Sequence, residues 1–180
     1  MKRHTLIWLV LLLAPVLLGA QPPSAGGLEA AIVGGASASA VLQGWCADHG
    51  LPKLTAQRMT GAKKPADATI LAALGARPGE KVAYRRVRLG CGAKELSEAD
   101  NWYLPDRLTP AMNRQLEETD TPFGLAVRPL NFSRRTLAVK HAPDSDHLLE
   151  VRAVLLSAAG APFSYVVEDY RRNLALTPGR

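Results

Sequence analysis

Charge set inside apolar strands is the feature of this sequence that could do chemistry. The run Tyr84-Arg85-Arg86-Val87-Arg88-Leu89 puts Arg86 and Arg88 on the same strand face as Val82 and Tyr84. If that face is the core face, two guanidiniums point inward. A buried arginine must find an anion, and its planar fork suits a carboxylate. Glu168, set in Tyr165-Val166-Val167-Glu168-Asp169-Tyr170, is the complementary oddity. Two plainer readings stay open beside it: these charges are the polar faces of half-exposed strands, or they are partners in an internal ion pair.

Other chemical signatures are absent. The sequence has no Walker loop, no nucleophile elbow and no paired-cysteine zinc spacing, and Gly34-Gly35 lacks the strand–turn–helix context of a dinucleotide fingerprint. His141, Asp144, Asp146 and His147 cluster in a polar turn of the kind that is ordinarily solvated, so no metal is expected, and no cofactor. Cys46 and Cys91 are too few for a disulfide scaffold. They could join or remain buried thiols; spacing does not decide it.

The elements that must position these residues follow from periodicity and punctuation. Residues 37–49 carry Ala40, Leu42 and Trp45 near helical spacing, with Gly50 as a stop. Residues 52–66, basic and flanked by proline, predict a loop or an irregular strand. Ala68–Leu74 reads as a short helix with Asp67 as cap and Gly75 as stop, and Thr109–Glu118 as a helix with Pro110 in its first turn. Strands are predicted at Val82–Cys91, Leu96–Leu104, Leu125–Asn131, Arg134–His141, Leu148–Leu156 and Phe163–Tyr170. Helices early and strands consecutive indicate an α+β domain with an antiparallel sheet.

The chain begins Met1-Lys2-Arg3-His4, runs apolar from Leu6 to Leu18, and reaches Gly19 and Ala20. A basic start, a short apolar run and small residues read as a signal peptide over 1–20, cut near Ala20, although Leu18 sits where a small residue is preferred. The run is short of the roughly 20 residues a spanning helix needs. The expectation is a periplasmic or secreted protein with no stable membrane span after cleavage; the alternative is a membrane anchor. Residues 21–28 read as a disordered leader and 29–180 as one domain. The net charge of +6 falls to +4 without residues 1–20, and no basic stripe is interleaved with aromatics, so no nucleic acid is expected as partner.

The segment Leu74 to Pro105 resembles the pattern shared by chorismate lyases and the UTRA ligand-sensing domains of GntR-type regulators, and the resemblance extends over most of residues 70–172. Arg86, Cys91 and Pro105 stand at the intervals of the lyases' strand arginine, cysteine and proline. Thr121-Pro122-Phe123-Gly124 is similar to a flap element, with Phe123 where the lyases carry a smaller aliphatic residue, and Glu168 after Pro162 matches a late glutamate. The resemblance implies an antiparallel sheet with helices packed on one side and a ligand pocket buried under flaps. It implies that Arg86, Phe123, Gly124 and Glu168 bind the ligand, Arg86 holding a ring carboxylate. It further implies a carbon–oxygen lyase that eliminates pyruvate from chorismate or a related enolpyruvyl compound, with Glu168 and Arg86 catalytic. The alternative it leaves is a non-catalytic carrier or sensor for a small aromatic or cyclic carboxylate.

Overall fold

A computed structural model describes residues 25–61, 63–141 and 146–174. The expected signal peptide over 1–20 and the beginning of the leader lie outside the described residues, as does Asp144. The order is α1 (Ala25–Val33), α2 (Ala38–Asp48), β1 (Leu54–Arg58), α3 (Ala68–Leu74), β2 (Ala83–Cys91), β3 (Lys94–Tyr103), α4 (Pro110–Glu118), α5 (Phe123–Ala126), β4 (Ser133–His141), β5 (His147–Leu156) and β6 (Pro162–Arg171), with short 3-10 turns between and after them. The six strands form one antiparallel sheet in the order β1-β2-β3-β6-β5-β4.

Local chemistry accounts for the ends of the elements. Asp67 Oδ1 accepts the Ile70 amide at 2.9 Å at the start of α3, and Gly75 closes it in the left-handed conformation, φ +53°. Thr109 Oγ1 takes the Met112 amide at the head of α4, where Pro110 occupies the first turn. Two expectations are corrected. Helix α1 already runs from Ala25, inside the segment expected as a leader, and Leu28 and Ile32, one helical turn apart, both bury against the sheet. The segment expected as a strand over Leu125–Asn131 is instead α5 followed by a 3-10 turn at Arg128–Leu130. Pro129 has no amide to give a ladder, and Asn131 turns the chain at φ +46°.

The sheet has two unlike faces. Helices α1 and α2 pack Leu28, Ile32, Leu42 and Trp45 against Val87, Leu89, Leu149, Val151 and Tyr170, and α4 and α5 pack Met112, Leu116 and Phe123 against Tyr103, Leu155 and Phe163. Cys46 of α2 and Cys91 of β2 are joined in a disulfide, their Cα atoms 6.1 Å apart. The cross-link closes a separation of 45 residues, which removes roughly 4 kcal/mol of unfolded-chain entropy. On the opposite face the short α3 covers Trp102, Val154 and Tyr165, and the remainder of that face is charged.

Candidate functional site

The register of β2 decides which charges reach the interior. Along this strand Arg85, Val87, Leu89 and Cys91 are buried, while Tyr84, Arg86 and Arg88 between them are only partly covered. Arg85 pairs with Asn101 of β3, which pairs with Val166 of β6; Val87 pairs with Ala99, which pairs with Glu168. Residues opposite one another share a face. Arg85, Asn101, Val166, Val87, Ala99 and Glu168 therefore line one surface, under the helices.

Between that surface and the covering elements lies a cavity of about 40 Å³. Its roof is Ser37, Ala38, Ser39 and Leu42 at the head of α2, with Phe123 and Gly124 at the start of α5. A side-chain carbon on Gly124 would stand 3.0 Å from both Ser37 Oγ and Ser39 Oγ, so glycine is what lets α5 close on α2. Phe123 stacks beside Phe163 and tilts against Tyr103.

Two charged groups face the cavity from different strands, and they differ in how they are satisfied. At one side Arg134 Nη2 donates to Glu168 Oε2 at 2.6 Å, and the Tyr170 hydroxyl donates to the same oxygen at 2.8 Å. Burial alone would lower the Arg134 pKa, but the Glu168 charge and hydrogen bond outweigh it and hold the guanidinium charged. Burial, and then the Glu168 charge, push the Tyr170 phenol well above its usual range. Arg85 has no such counter-charge in contact with it, and Asp120 acts on it only through its field. Arg85 is 5% exposed, its guanidinium donates to the backbone carbonyls of Thr121 (3.3 Å) and Ala56 (3.5 Å), and among the described residues no carboxylate lies within ion-pair distance. Burial, then the neighbouring Arg58 charge, pull its pKa down to about 10. Its Nε and the Ser97 hydroxyl facing the same cavity have no hydrogen-bond partner.

The expected site is thus brought together in part. Phe123, Gly124 and Glu168 line the cavity; Arg86 does not. Its side chain is 39% exposed on the opposite face, where Nη2 donates to Glu98 at 2.8 Å beside Asp100. The reason is parity. Buried Cys91 lies six residues from Arg85 and five from Arg86, and on an alternating strand an odd interval changes face. Val87, Leu89 and Cys91, apolar at a period of two, carried the signal that would have found Arg85. For Arg134 the sequence offered a weaker one, a basic residue opening a strand.

No family model matches the chain. It is 41% identical over 173 residues to the uncharacterized protein y4mC of Sinorhizobium fredii, covering 82% of this chain and 73% of the relative. The chain belongs to the y4mC family. Among solved structures it is similar to the effector domain of PhnF from Mycobacterium smegmatis, with a TM-score of 0.57, 11% identity, and coverage of 76% of this chain and 89% of that one. A second structure of PhnF gives 0.56 and 14%, covering 76% of this chain; the chain spans 64% of the length of that one. The ligand-binding domain of a putative GntR-family transcriptional regulator from Bordetella bronchiseptica gives 0.49 and 19%, covering 68% and 85%.

Of the two sides of the resemblance seen in the sequence, the fold comparison supports the effector-domain side, through the effector domain of PhnF. The lyase side is corrected. The PhnF structure matched over 89% of its length is an effector domain, and the two residues expected to be catalytic do not share a site: Arg86 faces away, and Glu168 already accepts hydrogen bonds from Arg134 and Tyr170. The expectation of a periplasmic or secreted protein is not carried further, since the fold the chain matches is that of the PhnF effector domain. No helix among the described residues is long and apolar enough to cross a membrane.

Proposed function

We propose that the chain is a non-catalytic binding module, sensor or carrier, that takes a small carboxylate into the cavity beneath α2 and α5. The observation that carries this reading is Arg85: a buried guanidinium facing a cavity, without a carboxylate partner. An uncompensated buried charge is costly, and a ligand carboxylate would supply its missing counter-ion through a charge-assisted fork.

The remaining lining favours an aromatic or cyclic acid. Phe123, Leu42, Val87 and Val166 offer apolar surface to a ring, and Ser97 and Asn101 stand on the sheet beside Arg85. Glu168 accepts its two hydrogen bonds on Oε2, which leaves Oε1 to take a ligand hydroxyl. About 40 Å³ holds a few waters and no ring. A ring acid therefore enters as Ser37–Leu42 and Phe123–Gly124 move aside and close over it.

A thermal-shift panel of aromatic and alicyclic acids, with 4-hydroxybenzoate as the first member, tests the reading, since a ligand that binds only the folded state raises the melting temperature by mass action. We expect a concentration-dependent rise that is lost in Arg85→Ala. A panel with no stabilising acid at millimolar concentration would end it.

A further inference from the structure

The two halves of the cavity roof are held down in different ways. Helix α2 is fixed at both ends. Near its last turn Cys46 is linked to Cys91 of β2, so this half is bonded covalently to the strand that carries Arg85, Val87 and Leu89 in the floor. Ahead of it, Leu28 and Ile32 of α1 are buried, and the Thr136 hydroxyl of β4 donates to the Val33 carbonyl at 3.0 Å. The other half, α5, is four residues long, and among the described residues no backbone hydrogen bond joins it to another element. It hangs from the segment 116–121 that leads into it.

That segment is stapled to the sheet edge through its carbonyls. Arg58 of β1 donates to the carbonyls of Leu116 and Glu117, and the Ala56 amide donates to that of Asp120 at 2.7 Å. Arg85 of β2 donates to that of Thr121 through both terminal nitrogens, each at 3.3 Å. Of these donors only Arg85 lines the cavity, and its bonds are the longest of the set. A neutral carbonyl at that distance is a weak partner for a guanidinium, which binds a carboxylate in a shorter, charge-assisted fork. Beyond α5 the chain is anchored again at Val127, which is fully buried. Residues 121–126 are therefore a flap between fixed points at Asp120 and Val127. Within it the Phe123 ring rests on Phe163 and Tyr103.

We propose that the cavity opens chiefly on its α5 side, by a swing of residues 121–126 away from α2, and that Arg85 is the latch. It holds the flap shut through the Thr121 carbonyl and lets go when a carboxylate takes that carbonyl's place. What trips the latch rests on the reading of the cavity as a carboxylate site; the latch itself belongs to the empty protein. Of the two roof segments that must part for a ring, 121–126 takes the larger share of the motion, because α2 is cross-linked to the floor. Once released, the Thr121 carbonyl turns to water. Occupancy of the interior is then felt at Thr119 and Asp120, which are exposed on the surface.

Amide hydrogen exchange on the full chain without ligand tests the latch. The reporters are the Leu125, Ala126 and Val127 amides, bonded to the Pro122 and Phe123 carbonyls, set against the Ala40 and Val41 amides, bonded to the Ser37 carbonyl at the head of α2. Arg85→Met keeps the stem and removes the donors; it should speed exchange at the α5 amides roughly ten-fold or more and leave the α2 pair unchanged. Gly124→Ala pries the halves apart without touching Arg85, since its side-chain carbon would meet Ser37 Oγ and Ser39 Oγ at 3.0 Å, and α5 should again be the half that yields. Where Arg85→Met also loosens β5 and β6, Gly124→Ala decides. No change at α5 in either variant, or loosening of α2 as great as that of α5 while β5 and β6 stay protected, would overturn the proposal. Sodium formate, small enough for a cavity of a few waters, should speed α5 exchange in the wild type beyond sodium chloride at equal ionic strength, and not in Arg85→Met. Formate without effect, beside variants that behave as expected, would overturn the carboxylate trigger and uphold the latch.

Discussion

Arg85 and Arg86 are chain neighbours with the same side chain, and they sit in different solvents. Arg85 lies under the helices in a largely apolar surround, anchored on carbonyls and short of a counter-charge. Arg86 lies on the other face within a ladder of alternating charge, in which Arg86 meets Glu98 and Asp100, Arg88 meets Glu95 and Glu98, and Arg171 meets the same two glutamates. Outside, each cation has anions at hand and water to screen it, so its presence says little about function. Inside, each unpaired polar group costs free energy, so its presence calls for a ligand or a structural partner. The difference shows that strand charges take their meaning from the face they occupy.

The largest effect should come from the inner ion pair. Glu168→Ala leaves the Arg134 guanidinium buried with Tyr170 as its remaining neighbour, and the expected loss of stability is about 3–5 kcal/mol. Urea denaturation measures it. Glu168→Leu combined with Arg134→Met should recover much of that loss, because an apolar pair of similar volume carries no uncompensated charge. If the single substitution costs no more than a surface pair does, the inner face is wetter than its burial implies.

Next is ligand affinity. For an acid found in the thermal-shift panel, Arg85→Ala should weaken binding by about 2–4 kcal/mol, and Arg86→Ala should leave it unchanged. Arg85→Lys should rescue only part, since an ammonium keeps the charge and loses the fork. Calorimetry on the three variants decides it. Equal losses at Arg85 and Arg86 would dissolve the distinction between the faces.

How much of this could be read in the sequence divides along physical lines. Caps and breakers act over a few residues, so α3 between Asp67 and Gly75, and α4 behind Thr109-Pro110, were legible from local chemistry alone. Most strands were legible from alternation. The cavity residues Phe123, Gly124 and Glu168 were reached through the resemblance, whereas the arginine was assigned one residue away, because face parity depends on which alternate set of β2 meets the helices. The Cys46–Cys91 link and the Arg134–Glu168 pair join residues 45 and 34 apart in sequence. Nothing in local pattern brings such partners together.

Acid should separate a third kind of carboxylate from both faces. Arg107 grips Glu80 with two parallel hydrogen bonds, Nε to Oε1 at 2.9 Å and Nη2 to Oε2 at 2.8 Å, and ties the pair to the carbonyls of Leu74, Gly75 and Pro162. The Arg107 hydrogen bond, then the Arg77 amide, hold the Glu80 pKa down from an ordinary 4.5 to about 2. A carboxyl depressed on folding stabilises the native state above its unfolded pKa and stops doing so as pH falls through the folded one. Wild type should therefore lose stability between about pH 4.5 and 2. Glu80→Gln should be less stable at neutral pH and show a flatter acid limb, read by thermal melts across that range.

The smallest effect should be on the outer ladder, and its smallness is what the comparison demands. Arg86→Ala removes a contact to Glu98 from a partly exposed, screened network in which Arg171 and Arg88 still face the same carboxylate. Burial raises the Glu98 pKa, but the Arg86 hydrogen bond and the charges of Arg86, Arg171 and Arg88 outweigh it and leave it lowered. The pair thus stabilises the folded state above the unfolded pKa of Glu98, and that contribution disappears as acid protonates the carboxyl. At neutral pH and low salt Arg86→Ala should cost up to about 1 kcal/mol, a loss that shrinks as salt is added and vanishes in acid, where wild type and variant converge. Denaturation at two salt concentrations and two pH values reads all four corners. A loss that persists at high salt would mean that the Arg86 stem packs as part of the core, and the two faces of β2 would then differ in degree and not in kind.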